Sequence, residues 1–187
     1  MSTLLDLPEV RARLARLPVA AYEALTEMGV LEKRSELIRG FIVQKTSKSP
    51  LHYTLNERLC ATFRLQLPAG YVVRPEGPLR LADSEPEPDI AVVRGSRDMF
   101  LASHPTSAEL VVEVAVSSVA LDRENAALYA EAGVPEYWIV LGLEKAIEVY
   151  RQPQAGIYRQ KRLYTRGETL VCESIPDLQS ALAEWFV

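Results

Sequence analysis

The sequence predicts an α/β domain with a mixed central sheet flanked by helices, and three stretches carry that prediction. Leu110-Val111-Val112-Glu113-Val114-Ala115-Val116 is a near-continuous apolar run rich in β-branched residues. Such a run is the pattern of a strand covered on both faces, as in parallel or mixed sheets. Upstream, Pro88-Asp89-Ile90-Ala91-Val92-Val93 reads as a shorter apolar strand; downstream, Pro135-Glu136-Tyr137-Trp138-Ile139-Val140 reads as another. Between the last two strands, Ala120 to Ala132 reads as a helix.

From the N-terminus, Leu7 to Leu17 reads as a short helix with Arg11, Arg13 and Arg16 set among Val10, Leu14 and Leu17. Arginines so placed form a solvated face or touch phosphate, and the solvated face is the commoner use. Pro18 fits the first turn of a second helix, Val19 to Met28, which Gly29 terminates. Ser35 to Val43 reads as a strand, a tight turn at Arg39-Gly40 and a returning strand. Ser49-Pro50 opens the next helix as a cap followed by proline at the first position. Its Leu51, Leu55, Leu59, Phe63 and Leu67 recur every four residues as one buried stripe, with Cys60 beside them. Gly70 to Val73 and Leu79 to Leu81 read as a strand pair joined by Arg74-Pro75-Glu76-Gly77-Pro78.

An acidic, proline-rich loop from Ala82 to Pro88 then delivers the chain to Asp89, and Arg94 to Thr106 reads as a surface loop or short helix. Ser117-Ser118 caps the helix that carries Asp122, Arg123, Asn125 and Tyr129, and Gly133 ends it. Trp138 to Leu141, Ala146 to Tyr150, Ile157 to Tyr164 and a shorter strand near Leu170 form an antiparallel extension. Ser180 to Phe186 closes the chain as a short amphipathic helix. There is no internal repeat and no domain-splitting linker, so 1–187 reads as one domain. Its parts are an N-terminal helical segment over 1–34, a core over 35–142, and C-terminal strands and a helix over 143–187.

Composition bounds the function. At 187 residues, 48% hydrophobic and 25% charged, the chain is an ordinary globular one large enough to bury a core. No apolar stretch approaches a membrane span, and Asp6, Glu9, Arg11 and Arg13 interrupt the place where a signal peptide needs its apolar region. Two cysteines, Cys60 and Cys172, are too few for a disulfide framework or a four-cysteine zinc site, which points to a reducing, cytoplasmic setting. A net charge of −4 argues against a protein that coats nucleic acid non-specifically, but leaves room for an enzyme with a local basic groove. Arg159, Lys161, Arg162 and Arg166 form either a nucleic-acid edge or a solvated hairpin face that discourages edge pairing.

The chemistry concentrates on two acids. Glu113 interrupts an apolar run, where a carboxylate is expensive unless a cation, metal or hydrogen-bond donor meets it. Asp89 lies 24 residues earlier, at the entrance of a strand, with enough chain between them for the two strands to be neighbours. Mg²⁺ or Mn²⁺ takes one or two carboxylates, a carbonyl and waters, so Asp89 and Glu113 are candidate metal ligands. His52, in the first turn of a helix, and Glu36, at a strand start, are candidate companions, although both residue types are ordinary at such places. Cys60 falls on the buried helical stripe, the usual place of an inert thiol. None of the 9 glycines makes a phosphate-cradling loop.

These residues resemble the Uma-two family of putative restriction endonucleases, within the PD-(D/E)XK nuclease superfamily. The resemblance runs through Glu36-Leu37-Ile38-Arg39-Gly40, Ser49-Pro50-Leu51-His52, Pro88-Asp89-Ile90, Val112-Glu113-Val114 with Ser117-Ser118, and Asp122 with Tyr129. It ends in Gly133-Val134-Pro135-Glu136-Tyr137-Trp138, followed by Ile139-Val140. It implies a restriction endonuclease-like fold with 35–142 as the nuclease core. It also implies hydrolysis of DNA phosphodiester bonds by a metal-activated water, Mg²⁺ or Mn²⁺ on Asp89 and Glu113, and a homodimer. One departure matters: the superfamily's lysine two residues after the glutamate is Ala115 here. The family's alternative lysine, on the following helix, falls at Asn125. Asn125 or Arg123 is then expected in the lysine's place, with Lys45 and Lys48 as other substitutes. The rival reading is a nuclease-fold protein impaired in catalysis that serves as a DNA-binding or assembly module.

Overall fold

Arg39 and Gly40, at φ 53° and 79°, supply the two left-handed positions that a two-residue hairpin turn of matching twist requires. They join β1 (Ser35–Ile38) to β2 (Phe41–Gln44), in register Leu37 to Ile42. Gly40 also has to be glycine for space, because a Cβ there would lie 2.6 Å from the Cβ of Arg16. The computed structural model describes residues 7–11, 13–32, 34–45 and 47–186. Ahead of the hairpin stand α1 (Pro8–Arg11) and α2 (Val19–Glu27). Val19 and Tyr22 of α2 pack on Leu37, and the Tyr22 hydroxyl donates to the Ser35 carbonyl at 2.7 Å.

The long helix α3 (Pro50–Gln66) begins as its sequence dictates. Pro50 occupies the first turn, and the Ser49 hydroxyl accepts from the His52 N–H at 3.2 Å. Its stripe is buried at Leu55, Leu59 and Phe63, while Leu51 at the N-terminal end is exposed. Then follow β3 (Tyr71–Pro75), β4 (Ile90–Arg94), β5 (Leu110–Ala115), α4 (Val119–Glu131), β6 (Glu136–Leu141), β7 (Ala146–Gln154) and β8 (Ile157–Thr165). The six strands form one sheet in the order β3-β4-β5-β6-β7-β8; β5 and β6 are parallel and the other neighbours antiparallel. The expected mixed sheet is therefore observed, with α4 crossing between its parallel pair.

The alternation of β5 decides where the chemistry lies. Leu110, Val112 and Val114 enter the layer shared with α3, while Val111 and Ala115 enter the layer shared with α4. Glu113 has the parity of Val111 and Ala115, so it faces α4. No helix of the described residues is long and apolar enough to cross a membrane.

Three expected elements differ. The helix over Leu7 to Leu17 is only one turn, and of that segment Ala12 lies outside the described residues, as do residues 1–6 of the expected helical segment. Leu17 precedes Pro18, which disfavours helix, and its N–H bonds the Gly40 carbonyl at 2.9 Å, strapping the segment to the hairpin turn. Leu79 to Leu81 form no strand with β3, whose partner is β4. Pro75 and Pro78 cannot donate to a ladder, and Leu79 and Leu81 bond instead to the carbonyls of Pro86 and Ser84, both at 2.9 Å. At the C-terminus, 180–186 is no continuous helix. β10 (Gln179–Ala181) pairs with β9 (Thr169–Val171) in a separate two-stranded sheet, and only a 3₁₀ turn, Leu182–Glu184, follows.

Candidate active site

Asp89 leads into β4, and Glu113 is the fourth residue of the adjacent β5. The backbone N–H of Asp89 donates to Glu113 Oε2 at 3.1 Å, so the two carboxyl groups stand beside one another. Asp89 Oδ2 accepts from His52 Nε2 at 2.9 Å and from the Val114 N–H at 2.7 Å. Its Oδ1 accepts from Lys48 Nζ at 2.6 Å, and Lys48 reaches Glu76 at the same distance. Tyr129 of α4 donates its hydroxyl to Glu113 Oε1 at 3.0 Å. The strand charge is thus met by one backbone and one phenolic donor, the compensation that a carboxylate in an apolar run needs.

These groups line a cavity of about 160 Å³. Five carboxyl groups border it (Glu36, Glu87, Asp89, Glu113 and Asp122), against Lys45, Lys48 and His52. Glu36 of β1 accepts the Glu87 N–H at 3.0 Å, and Lys45 binds the Glu87 carbonyl at 2.7 Å. Burial pushes the Glu113 carboxyl well above the usual carboxylate range, and the charges of Asp89 and Asp122 push it further. Glu36 is likewise raised, first by burial. Burial also works to raise Asp89, but the His52 hydrogen bond and the charges of His52 and Lys48 hold it below its ordinary value. The cavity therefore gathers more carboxyl groups than basic ones, and of these Glu113 and Glu36 tend to keep their protons.

Among the described residues, no group of three or more His, Cys, Asp or Glu side chains is arranged to hold a metal ion. A hard divalent cation does not require one. Mg²⁺ keeps several waters and binds through one or two carboxylates, and the oxygen-only pair Asp89 and Glu113, with Glu36, Glu87 and Asp122 lining the same cavity, fits that demand. His52 Nδ1 is buried without a hydrogen-bond partner.

Of the residues singled out from sequence, Asp89, Glu113, Glu36, His52 and Asn125 converge on the cavity together with Lys45 and Lys48. Arg123 does not. It points across α4 to Glu148 of β7, with Nη2 to Oε1 at 2.6 Å, because positions 122 and 123 face about 100° apart on a helix. The sequence reading missed Asp122 as a site residue, although 122, 125 and 129 have the spacing of a single helical face. Glu87 was also missed; nothing in its loop marked it.

A family model described as "Putative restriction endonuclease" (Uma2) matches residues 19–183. No curated protein matches the chain. Among solved structures, the chain is similar to a putative nuclease belonging to DUF820 from Anabaena variabilis ATCC 29413. The TM-score is 0.72 at 19% identity, covering 87% of this chain and 96% of that one.

Proposed function

We propose, from the premise that this chain belongs to the Uma2 family of putative restriction endonucleases, that it is a divalent-metal-dependent endonuclease that hydrolyses DNA phosphodiester bonds. The observation that carries the reading is the pairing of Asp89 with Glu113 on neighbouring strands, at a cavity rich in carboxylate oxygen. These two residues would hold Mg²⁺ or Mn²⁺. When bound, the ion supplies Lewis-acid charge and lowers the pKa of water.

The chain's own residues divide the remaining work. His52 fixes the orientation of Asp89 through Oδ2. Lys48, which approaches Asp89 Oδ1 from the loop before α3, is the cation best set to offset charge growing on a scissile phosphate. It takes the charge-offsetting part that Arg123, committed to Glu148, is not placed to play. Two copies of the chain would serve the two strands of a duplex.

Nicking and linearisation of supercoiled plasmid in Mg²⁺ or Mn²⁺ test the reading, with Asp89→Ala and Glu113→Ala prepared identically. Cutting should require metal and vanish in both variants, and Lys48→Ala should cut slowly while still binding Mn²⁺. Equal cutting by wild type and both alanine variants would mean contamination. A wild-type protein that binds metal and cuts nothing would favour the impaired DNA-binding or assembly module.

A further inference from the structure

The α4 wall of the cavity holds polar atoms that no protein group satisfies. Asn125 is 8% exposed, lines the cavity and makes no hydrogen bond among the described residues. Asp122, 7% exposed, accepts the Ser118 hydroxyl on Oδ2 at 2.6 Å, and its Oδ1 has no partner among the same residues. A polar group in a narrow cavity with no protein partner is met by water or a ligand. Two such side chains opening onto the same cavity, each more than nine-tenths buried, make a place where one water can be held between them.

We propose that Asp122 and Asn125 bind the water that attacks the phosphodiester, with Asp122 Oδ1 accepting its proton as general base. The proposal rests on the nuclease reading above and names the residues that handle the nucleophile. Side chains three residues apart on a helix have Cβ atoms about 5–6 Å apart. One water making two hydrogen bonds of about 2.8 Å bridges polar atoms up to about 5–6 Å apart, within reach of two such neighbouring side chains. Asn125 offers an acceptor and a donor, so it can orient the water by either end of its amide.

Ser118 fixes Oδ2 and leaves Oδ1 without a protein partner on a residue that lines the cavity. Tyr137 anchors the same turn, donating to the Asp122 carbonyl at 2.9 Å. Glu113 suits the role less well, because both its oxygens already accept hydrogen bonds. The charged and titratable groups that act on Asp122 are Asp89 before β4, Glu36 of β1, His52 of α3 and Glu113 of β5. Burial, against the Ser118 hydrogen bond, raises the Asp122 carboxyl above its ordinary value, the direction that favours taking a proton. In the step, a bond forms from the water oxygen to phosphorus as the bond to the leaving oxygen breaks. The water's proton passes to Asp122 and then to solvent, and the leaving oxygen is protonated from solvent.

Three measurements on the full chain test this. Asp122→Asn keeps the side-chain size and the Ser118 hydrogen bond but cannot act as a base. Its kcat for plasmid cutting should fall by roughly 10²–10⁴ with KM little changed. Its Mn²⁺ affinity by calorimetry and its melting midpoint should stay near wild type. Asn125→Leu, a second route should the first variant misfold, should lower kcat by about tenfold or more without weakening Mn²⁺ binding. A high-resolution crystal structure of the wild type should show a water within hydrogen-bond distance of both side chains. Absence of that water, or a kcat loss under about tenfold in Asp122→Asn, would overturn the proposal. So would a parallel loss of Mn²⁺ affinity, which would make Asp122 a metal ligand instead. A wild type that shows the water but cuts no DNA would defeat the nuclease reading and the base role with it, leaving only the water site.

Discussion

Single carboxyl groups in this protein differ chiefly in what meets them, and Glu85 is met least well. It is 7% exposed, its Oε2 lacks a hydrogen-bond partner, and burial followed by the charge of Glu23 raises its pKa to about 7. Its backbone is pinned to Leu37 by two hydrogen bonds, at 2.7 and 3.3 Å, so the side chain has little freedom to escape. Above its unfolded value of about 4.5 the unfolded chain releases this proton while the folded chain keeps it. Stability from this group is therefore full below that pH and falls as pH rises to about 7, where the folded state must carry a buried charge. Glu85→Gln stays neutral throughout, so its melting midpoint should drop less than wild type between acidic and mildly alkaline buffer. Each kcal/mol recovered corresponds to roughly 2–4 °C in a domain of this size. Parallel pH profiles for the two proteins, by calorimetry, would sink the assignment.

At the scale of elements, β6 and β7 are fastened to the C-terminal segment through Glu136. This residue is 1% exposed and accepts from Trp138 Nε1 at 2.8 Å, Arg151 Nε at 3.0 Å and the backbone N–H groups of Glu173 and Ser174 at 2.8 and 3.2 Å. Glu136→Ala leaves the Arg151 charge inside without its main partner, a loss of about 3–5 kcal/mol. The melting midpoint should fall on the order of 10 °C. A change of only a degree or two would show that Glu173, which also pairs with Arg151 at 2.7 Å, suffices. Elements fixed by local pattern were legible from sequence: β5 by its apolar run, α3 by its cap and its leucines, the first hairpin by Arg39-Gly40. Those that depend on distant partners were not. Leu79 to Leu81 look like a strand until Pro86 and Ser84 claim their N–H groups, and Gln179 to Ala181 look helical until Thr169 to Val171 pair with them. The candidate site divides in the same way. Glu113 stands out because a carboxylate inside an apolar strand is improbable, and Asp89, an ordinary strand-entry residue by itself, gains its meaning from Glu113. Lys48 contacts Asp89 only because the chain folds a loop back across 41 residues.

Taken whole, the molecule presents nucleic acid with an unfavourable charge balance. Its net charge is −4, and the basic strand β8 is largely neutralised from within: Lys161 pairs with Glu148 at 2.9 Å and Arg162 with Glu168 at 2.8 Å. Of the two readings of the C-terminal basic cluster, a hairpin face held by intramolecular pairs accounts for these contacts. A phosphate strand approaching the cavity would meet the carboxyl groups of Glu36, Glu87, Asp89 and Asp122, and the lysines that line it, Lys45 and Lys48, are already paired with Glu87 and with Asp89 and Glu76. DNA binding should therefore depend on a divalent ion that reverses the local charge, and the salt dependence should be shallow, since few phosphates are neutralised by side chains. Fluorescence anisotropy of a labelled duplex can measure this in Ca²⁺, used as a cation expected to support binding without turnover, against EDTA. Affinity should rise about tenfold or more with the ion, worth at least about 1.4 kcal/mol. Asp89→Ala should remove that gain, while metal-free binding stays weak or rises slightly as one repelling carboxylate is lost and Lys48 is released. If wild type binds equally with and without the ion, the duplex sits away from the acidic cavity, and the metal pair is not what brings DNA to this protein.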